Sequence, residues 1–160
     1  RSGQGAMGQA CAARLQAQGY RVIGWRNDGA PLAPLLAQAG IVLNLLPLTP
    51  ATRGLIDARF LAALPRSAAV VNLARGAHVV DHDLLVALDQ GHIGHAVLDV
   101  FQTEPLPADH RYWQHPQVTV LPHSAALTDP RSASAVVAAN LRALWSGQAP
   151  QHLVSRQRGY

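Results

Sequence analysis

Short apolar runs alternate with helical stretches along most of the chain. The stretch from Ala68 to Gly76 begins as an apolar run with adjacent valines, preceded by Pro65-Arg66-Ser67. Such a run predicts a strand buried on both faces of a sheet. The stretch then reaches Arg75, and the carboxyl ends of strands border the ligand crevice of an open α/β sheet. Arg75 is therefore placed to meet an anionic ligand, although an arginine that only ties down a loop has the same pattern.

The pattern predicts further elements on both sides of this strand. Predicted helices cover residues 6–18, 31–38, 57–64, 81–90 and 130–145, and predicted strands cover residues 21–25, 41–46, 96–100 and 118–121. Gly19 and Gly91 should end two of the helices, and Asp81 should be an N-cap. The alternation predicts an α/β fold with a doubly wound parallel sheet.

The composition of the chain indicates which kind of ligand and which cellular location to expect. The net charge is +4, and all 13 basic residues are arginines scattered along the chain, which favours small anionic ligands over nucleic acid. No stretch has the apolar length of a membrane span or the pattern of a signal peptide, so we expect neither a membrane nor a secreted protein. The single cysteine, Cys11, fits a reducing cytoplasm. Eight of the nine acidic residues are aspartates, so the lone Glu104 hints that a longer side chain is needed there.

A glycine-rich loop opens the first predicted helix. Gly3, Gly5 and Gly8 match the G-x-G-x-x-G fingerprint, in which the backbone approaches a pyrophosphate at a helix N-terminus. Arg26, at the end of the next predicted strand, suits the 2′-phosphate of NADP(H). Asp28 would instead serve the ribose of NAD(H), and an ordinary turn arginine is the third alternative.

Four polar residues fall at predicted strand ends or just after them: Arg75, Asp99, Glu104 and His123. Asp99 interrupts an apolar run and needs a partner if it is buried. His123 is followed by small residues that would let a flat ring approach. The histidines also raise the alternative of a metal site, but His78 with His82 and His92 with His95 lack a third ligand at a recognised spacing, so we expect none.

Three blocks of sequence resemble the D-isomer-specific 2-hydroxyacid dehydrogenases. They are Asn72-Leu73-Ala74-Arg75-Gly76, Leu98 to Pro105, and Pro122-His123-Ser124-Ala125-Ala126. Residues 46–54, 75–80 and 154–160 are similar to the glyoxylate/hydroxypyruvate reductase branch of that family. The resemblance implies a Rossmann-like NAD(P)-binding domain over residues 1–127, and a C-terminal helix and tail over residues 128–160.

The resemblance also implies roles for individual residues. Arg75 would hold the substrate carboxylate, His123 would be the general acid, and Glu104 would pair with His123 and favour the imidazolium. Asp99 would orient the nicotinamide side of the cofactor, for which NADP(H) is preferred and NAD(H) is possible. The implied cofactor-binding residues are Gly3, Gly5, Ala6, Met7, Gly8, Arg26, Leu46, Pro47, Thr52, Leu73, Ala74, Asp99, His123 and Ala125.

The resemblance implies an NADPH-dependent reductase of a small 2-oxo acid that forms a homodimer. Family members carry a longer segment before the glycine-rich loop, including a first strand that this chain lacks. In the order 3-2-1-4-5-6 that strand would lie between residues 21–25 and the central strand. We therefore expect either the C-terminal part of a larger enzyme or a fragment whose missing strand comes from another chain. A non-catalytic NAD(P)-binding fragment, a corepressor-like sensor and a structural remnant remain as alternatives.

Overall fold

The computed structural model describes residues 5–26 and 29–155. The predicted cofactor residues Gly3 and Asp28 therefore lie outside the described residues. Its helices are α1 (Ala6–Ala17), α2 (Ala33–Leu36), α3 (Ala58–Ala62), α4 (Asp81–Asp89) and α5 (Pro130–Trp145), and its strands are β1 (Ile41–Asn44), β2 (Ala68–Asn72), β3 (Ile93–Leu98) and β4 (Val118–Val120). Two compact units divide the described residues, one ending at His123 and one beginning at Ser124.

The strands of the first unit form a parallel sheet in the order β1-β2-β3-β4. Asn44 is opposite Asn72 in the first pair, and Asn72 is opposite Leu98 in the second. Because every described strand runs in the same direction, the loops that follow Asn44, Asn72, Leu98 and Val120 leave from one edge of the sheet. This confirms the predicted α/β fold with a parallel sheet.

The core lies between this sheet and the helices α3 and α4. Val70, Ile93 and Ala96 of the two central strands are fully buried, together with Leu84 and Leu88 of α4. Burial of this kind stabilises a fold by about 25 cal/mol per Å² of apolar surface. It explains why β2 and β3 consist almost entirely of apolar residues.

Helix α1 begins at Ala6, as the sequence predicts, and ends at Ala17, one residue before the predicted end. Gly19 has φ +88°, and the N–H of Tyr20 donates to the carbonyl of Leu15 while that of Gly19 donates to the carbonyl of Gln16. These two bonds form a Schellman motif, which needs a residue in the left-handed region. The predicted stop at Gly91, with φ +62°, is confirmed for α4 in the same way.

The predicted strand over residues 21–25 is wrong for the described residues, which have no strand there. The expected strand order is also wrong, because β1 pairs directly with β2. No strand therefore lies between β1 and the central strand β2 in the described sheet. The first error has a physical cause: residues 21–25 need a hydrogen-bonded neighbour to form a strand, and no described strand supplies one.

Several predicted boundaries also shift. Helix α2 is shorter than residues 31–38, β1 ends at Asn44, and β3 starts at Ile93 and stops before Asp99. Asp81 is the first residue of α4 and Val80 is its N-cap, so the predicted Asp81 cap is wrong. The Asp81 carboxylate instead accepts a hydrogen bond from the Tyr112 hydroxyl at 2.9 Å, a partner that only the tertiary structure supplies.

The second compact unit contains α5 and the residues that follow it. The predicted boundaries of α5, residues 130–145, are confirmed, with Asp129 as its N-cap and Pro130 in the first turn. Asn140 holds the following segment through both atoms of its amide, which bond the backbone of Gln151. Among the described residues no helix is both long enough and apolar enough to cross a membrane.

Gly76 marks the closest approach between two loops at the carboxyl edge. A Cβ atom on Gly76 would lie 1.9 Å from the carbonyl carbon of Phe101 and 2.4 Å from the nitrogen of Gln102. Both neighbours are backbone atoms, so they have no flexible end that can move aside. The glycine therefore allows the loop after β2 to pack directly on the loop after β3.

Replacing Gly76 by alanine should separate these loops and destabilise the protein by about 1 to 3 kcal/mol through overpacking. Gly40→Ala is the matched control, because a Cβ on Gly40 would meet no atom within 4 Å. The free energy of unfolding in urea measures both variants. Equal values for Gly76→Ala and Gly40→Ala would contradict the close packing of the loops.

Candidate active site

The N-terminus of α1 carries the described part of the glycine-rich loop. Gly5 is the N-cap, no side chain among the described residues caps the helix, and Ala6 and Met7 are exposed. The first N–H groups of a helix lack intrahelical partners and favour anions. Gly5, Ala6, Met7 and the half-buried Gly8 thus form an end of a helix that suits a phosphate group.

Arg26 is exposed at the end of the segment that follows α1. Nearby, the indole N–H of Trp25 donates to the carbonyl of Ala30 at 2.9 Å, and the Arg21 guanidinium donates to Gln38. Arg21 is thus held by another side chain, while Arg26 lies directly before the residues that are not described. Its exposure is compatible with binding a phosphate.

The loop after β1 contains three of the predicted cofactor residues, Leu46, Pro47 and Thr52. The hydroxyl of buried Thr52 donates to the carbonyl of Pro47 at 2.8 Å and accepts from the N–H of Thr49 at 2.9 Å. The Thr52 hydroxyl thus stabilises the loop through hydrogen bonds to the loop's own backbone. Pro47 is exposed at the tip and Leu46 is half-buried.

Beneath this loop, two buried asparagines end β1 and β2. The amide nitrogen of Asn44 donates to the Asn72 oxygen at 2.9 Å and lies 3.0 Å from Nδ1 of His78. The Asn72 oxygen also accepts from the N–H of Ala74, and its nitrogen donates to the carbonyl of Arg75. Every buried side-chain nitrogen and oxygen of the described residues has a hydrogen-bond partner.

Arg75 follows this network directly. Its backbone is extended, its side chain is exposed, and Nη1 donates to the carbonyl of Ala74. Leu73 and Ala74, both predicted to bind the cofactor, connect β2 to this arginine. The structure therefore presents the Arg75 guanidinium at the carboxyl edge, where the sequence predicts it.

The loop after β3 begins with buried Asp99 and carries Glu104. The N–H of Asp99 donates to the carbonyl of Asn72, and the amide of Gln102 donates to the carbonyl of Val79 at 3.0 Å. Together with the contact at Gly76, these bonds hold the loop against the residues after Arg75. The Glu104-Pro105 peptide bond is cis.

Glu104 and His123 form a hydrogen-bonded pair, with Oε2 2.7 Å from Nδ1. The other oxygen, Oε1, accepts from the N–H of Phe101 at 2.9 Å. The Phe101 N–H lowers the pKa of Glu104, and His123 and the positive charge of Arg75 lower it further. The carboxylate is thus ionised and both of its oxygens are engaged, which fixes the orientation of the imidazole.

His123 has an unusual backbone for a residue with a side chain. Its φ of +53° lies in the left-handed region, which costs about 1 to 3 kcal/mol for a residue other than glycine. Strain of this kind persists where the surroundings require it and is frequent at functional sites. Because Nδ1 is bonded to Glu104, Nε2 is the ring nitrogen on the side away from the carboxylate.

The first compact unit thus brings Arg75, Glu104 and His123 to one edge, with Asp99 at the base of the same loop. Ala125, another predicted cofactor residue, falls in the second unit. Sequence reasoning did not assign a role to Asn44 or Tyr112 and considered His78 only as a metal ligand. The sequence signal that could have identified Asn44 was a polar amide residue at the end of an apolar run. Within the described part of the chain, no three potential ligands cluster as for a metal ion.

Comparison with known proteins places residues 2–125 in a family model described as the D-isomer specific 2-hydroxyacid dehydrogenase NAD binding domain. Similar proteins include the glyoxylate/hydroxypyruvate reductases A of Serratia proteamaculans, at 42% identity, and of Yersinia enterocolitica, at 38%. Each match covers 99% of this chain and 54% of the relative. The chain therefore spans about half the length of these relatives.

Two solved structures share the fold at a TM-score of 0.93. One is a D-isomer specific 2-hydroxyacid dehydrogenase from Xanthobacter autotrophicus in complex with NADPH and MES, at 39% identity over 99% of this chain and 70% of that one. The other is an NADPH-dependent glyoxylate/hydroxypyruvate reductase from Sinorhizobium meliloti in complex with NADP and sulfate, at 37% identity over 99% of this chain and 55% of that one.

Asn72→Leu should destabilise the protein by about 2 to 3 kcal/mol, because it leaves buried donors of Asn44 and Ala74 without an acceptor. Asn140→Leu is the control, since it removes an asparagine whose bonds to Gln151 are exposed. Thermal and urea unfolding report the difference. A loss at Asn72 no larger than the loss at Asn140 would contradict the proposed importance of this buried network.

Proposed function

Because the chain belongs to the D-isomer-specific 2-hydroxyacid dehydrogenase family, we propose that the protein reduces a small 2-oxo acid to the D-2-hydroxy acid with NADPH. Glyoxylate and hydroxypyruvate are the proposed substrates, because similar proteins are named glyoxylate/hydroxypyruvate reductases. The observation that carries the proposal is the 2.7 Å bond between His123 and Glu104 at the edge that presents Arg75.

Each of these side chains has a chemical role in the proposal. The planar guanidinium of Arg75 matches a carboxylate and polarises the neighbouring 2-oxo group. His123 donates a proton from Nε2 to the carbonyl oxygen as hydride reaches the carbon, and removes it in the reverse direction. Glu104 fixes the ring and stabilises the imidazolium through Nδ1.

The residues that would hold the cofactor are compatible with a dinucleotide. The open N-terminus of α1 suits the pyrophosphate, and the loop of Leu46, Pro47 and Thr52 leaves from the same sheet edge as Arg75. Arg26 would bind the 2′-phosphate. When bound, the nicotinamide supplies the hydride, while the protein supplies orientation and charge.

The His123–Glu104 pair favours an enzyme over a module that only binds the cofactor. Binding a dinucleotide does not require a proton donor, yet this pair is fixed by a second bond from Phe101. We further propose a homodimer and a cytoplasmic location, the latter supported by the single free cysteine, Cys11. NADPH oxidation with glyoxylate or hydroxypyruvate tests the proposed activity directly.

His123→Ala should lower kcat by at least about 100-fold, the usual contribution of a general acid, and should spare NADPH binding. The control is His95→Ala, which removes an imidazole bonded to the Thr119 hydroxyl outside the site. Steady-state turnover and fluorescence titration of NADPH provide the two measurements. Full activity of His123→Ala would refute the assignment of the general acid.

Arg26→Ala should weaken NADPH binding by about 10- to 100-fold and leave NADH binding unchanged, because only NADPH carries the 2′-phosphate. Arg21→Ala is the matched control, since its guanidinium is bonded to Gln38. The dissociation constants of both cofactors are compared for each variant. A wild-type preference for NADH would contradict the cofactor assignment.

A further inference from the structure

His78 is a fully buried histidine that follows Arg75 by three residues. Its position at the end of the 3-10 turn Gly76–His78 puts its backbone N–H 3.2 Å from the Arg75 carbonyl, which also accepts from Asn72. The backbone of the proposed substrate-binding arginine is therefore held from two sides.

The hydrogen bonds around His78 determine which nitrogen carries the proton. The N–H of Leu46 donates to the Asn44 side chain, so the amide atom that faces it must be the oxygen. The amide nitrogen of Asn44 then faces Nδ1 of His78 at 3.0 Å and can only donate. Nδ1 is thus an acceptor, and the proton on Nε2 is donated to the Pro47 carbonyl at 3.3 Å.

The imidazole consequently joins two loops that have different roles in the proposed reaction. Its Nε2 holds Pro47, in the loop proposed to contact the cofactor. Its Nδ1 holds Asn44, whose amide also bonds Asn72 and, through it, the carbonyl of Arg75. No other described side chain bonds both Asn44 and the Pro47 carbonyl.

We propose that His78 is a positioning residue that holds the cofactor loop at Pro47 in register with the substrate loop at Arg75, and that only its neutral form does so. The inference rests on the proposed function of these two loops. A displacement of about 1 Å at either loop is enough to reduce turnover strongly, because hydride transfer depends on the relative position of its two partners.

The charged groups around His78 favour the neutral ring. Burial lowers the pKa of His78, and the positive charges of Arg75 and Arg53 lower it further, against opposing hydrogen bonds to Pro47 and Arg75. Protonation would place a second N–H at Nδ1, facing the amide donor of Asn44. The unfolded chain takes up this proton more readily than the folded chain. The contribution of neutral His78 to the free energy of unfolding is therefore complete above the ordinary histidine pKa of about 6.5, and it is lost as the pH falls below that value.

Three substitutions separate the two hydrogen bonds of His78. Asparagine keeps an acceptor near Nδ1 and loses the donor to Pro47, glutamine keeps a donor near Nε2 and loses the acceptor, and leucine loses both at similar volume. His78→Asn should raise the KM for NADPH about tenfold, and His78→Gln should raise mainly the KM for glyoxylate. His78→Leu should raise both. His92→Leu is the control, because His92 bonds the Leu61 carbonyl away from these loops.

Dissociation constants for NADPH, measured without substrate, keep this inference separate from the proposed function. If the wild type fails to reduce any 2-oxo acid but His78→Asn binds NADPH about tenfold more weakly than His78→Gln, the reductase proposal fails and the loop link stands. If all three variants lower the unfolding temperature yet retain wild-type kcat, KM and dissociation constants in the folded protein, His78 is only structural and the inference is overturned.

Discussion

The need to pair buried polar groups at the end of the central strand determines the arrangement of the candidate site. Asn72 lies fully buried where β2 ends, and its amide bonds Asn44, Ala74 and Arg75. An unpaired amide in this position would be costly, so the loops must pass where they can complete its bonds. These bonds fix the backbone before and after Arg75, and the guanidinium is exposed at the carboxyl edge of the sheet.

A second constraint, steric this time, brings the other half of the site to the same edge. The absence of a side chain at Gly76 lets the backbone at Phe101 pack against it. This contact brings the loop of Glu104 close enough for the positive charge of Arg75 to lower the pKa of Glu104. The Phe101 N–H and His123 form hydrogen bonds with the two carboxylate oxygens. Hydrogen bonding at β2 and close packing at Gly76 thus serve one result: three chemically different side chains share one surface.

The pair at the centre of this surface is open to solvent, with 52% of the His123 side chain and 37% of the Glu104 side chain exposed. Ion pairs in water contribute little, and electrostatic stabilisation grows when water is excluded. The proposed acid chemistry therefore gains most when bound substrate and cofactor exclude water from this edge. The network of Asn44, Asn72 and His78 is buried, and each of its buried side-chain polar atoms has a hydrogen-bond partner.

The sequence alone determined the class of fold, the start of α1, the limits of α5, and the grouping of Arg75, Glu104 and His123. These followed from local rules: apolar periodicity, glycine stops, and the fact that parallel strands end at one edge. It misjudged residues 21–25, the neighbour of β2 and the cap of α4, because strand pairing and the partner of Asp81 depend on residues distant in sequence. The tertiary structure alone decided that Gly76 touches Phe101 and that His78 joins two loops. The hydrophobic periodicity of the sequence cannot predict either contact, because each depends on where the ends of two separate strands meet in space.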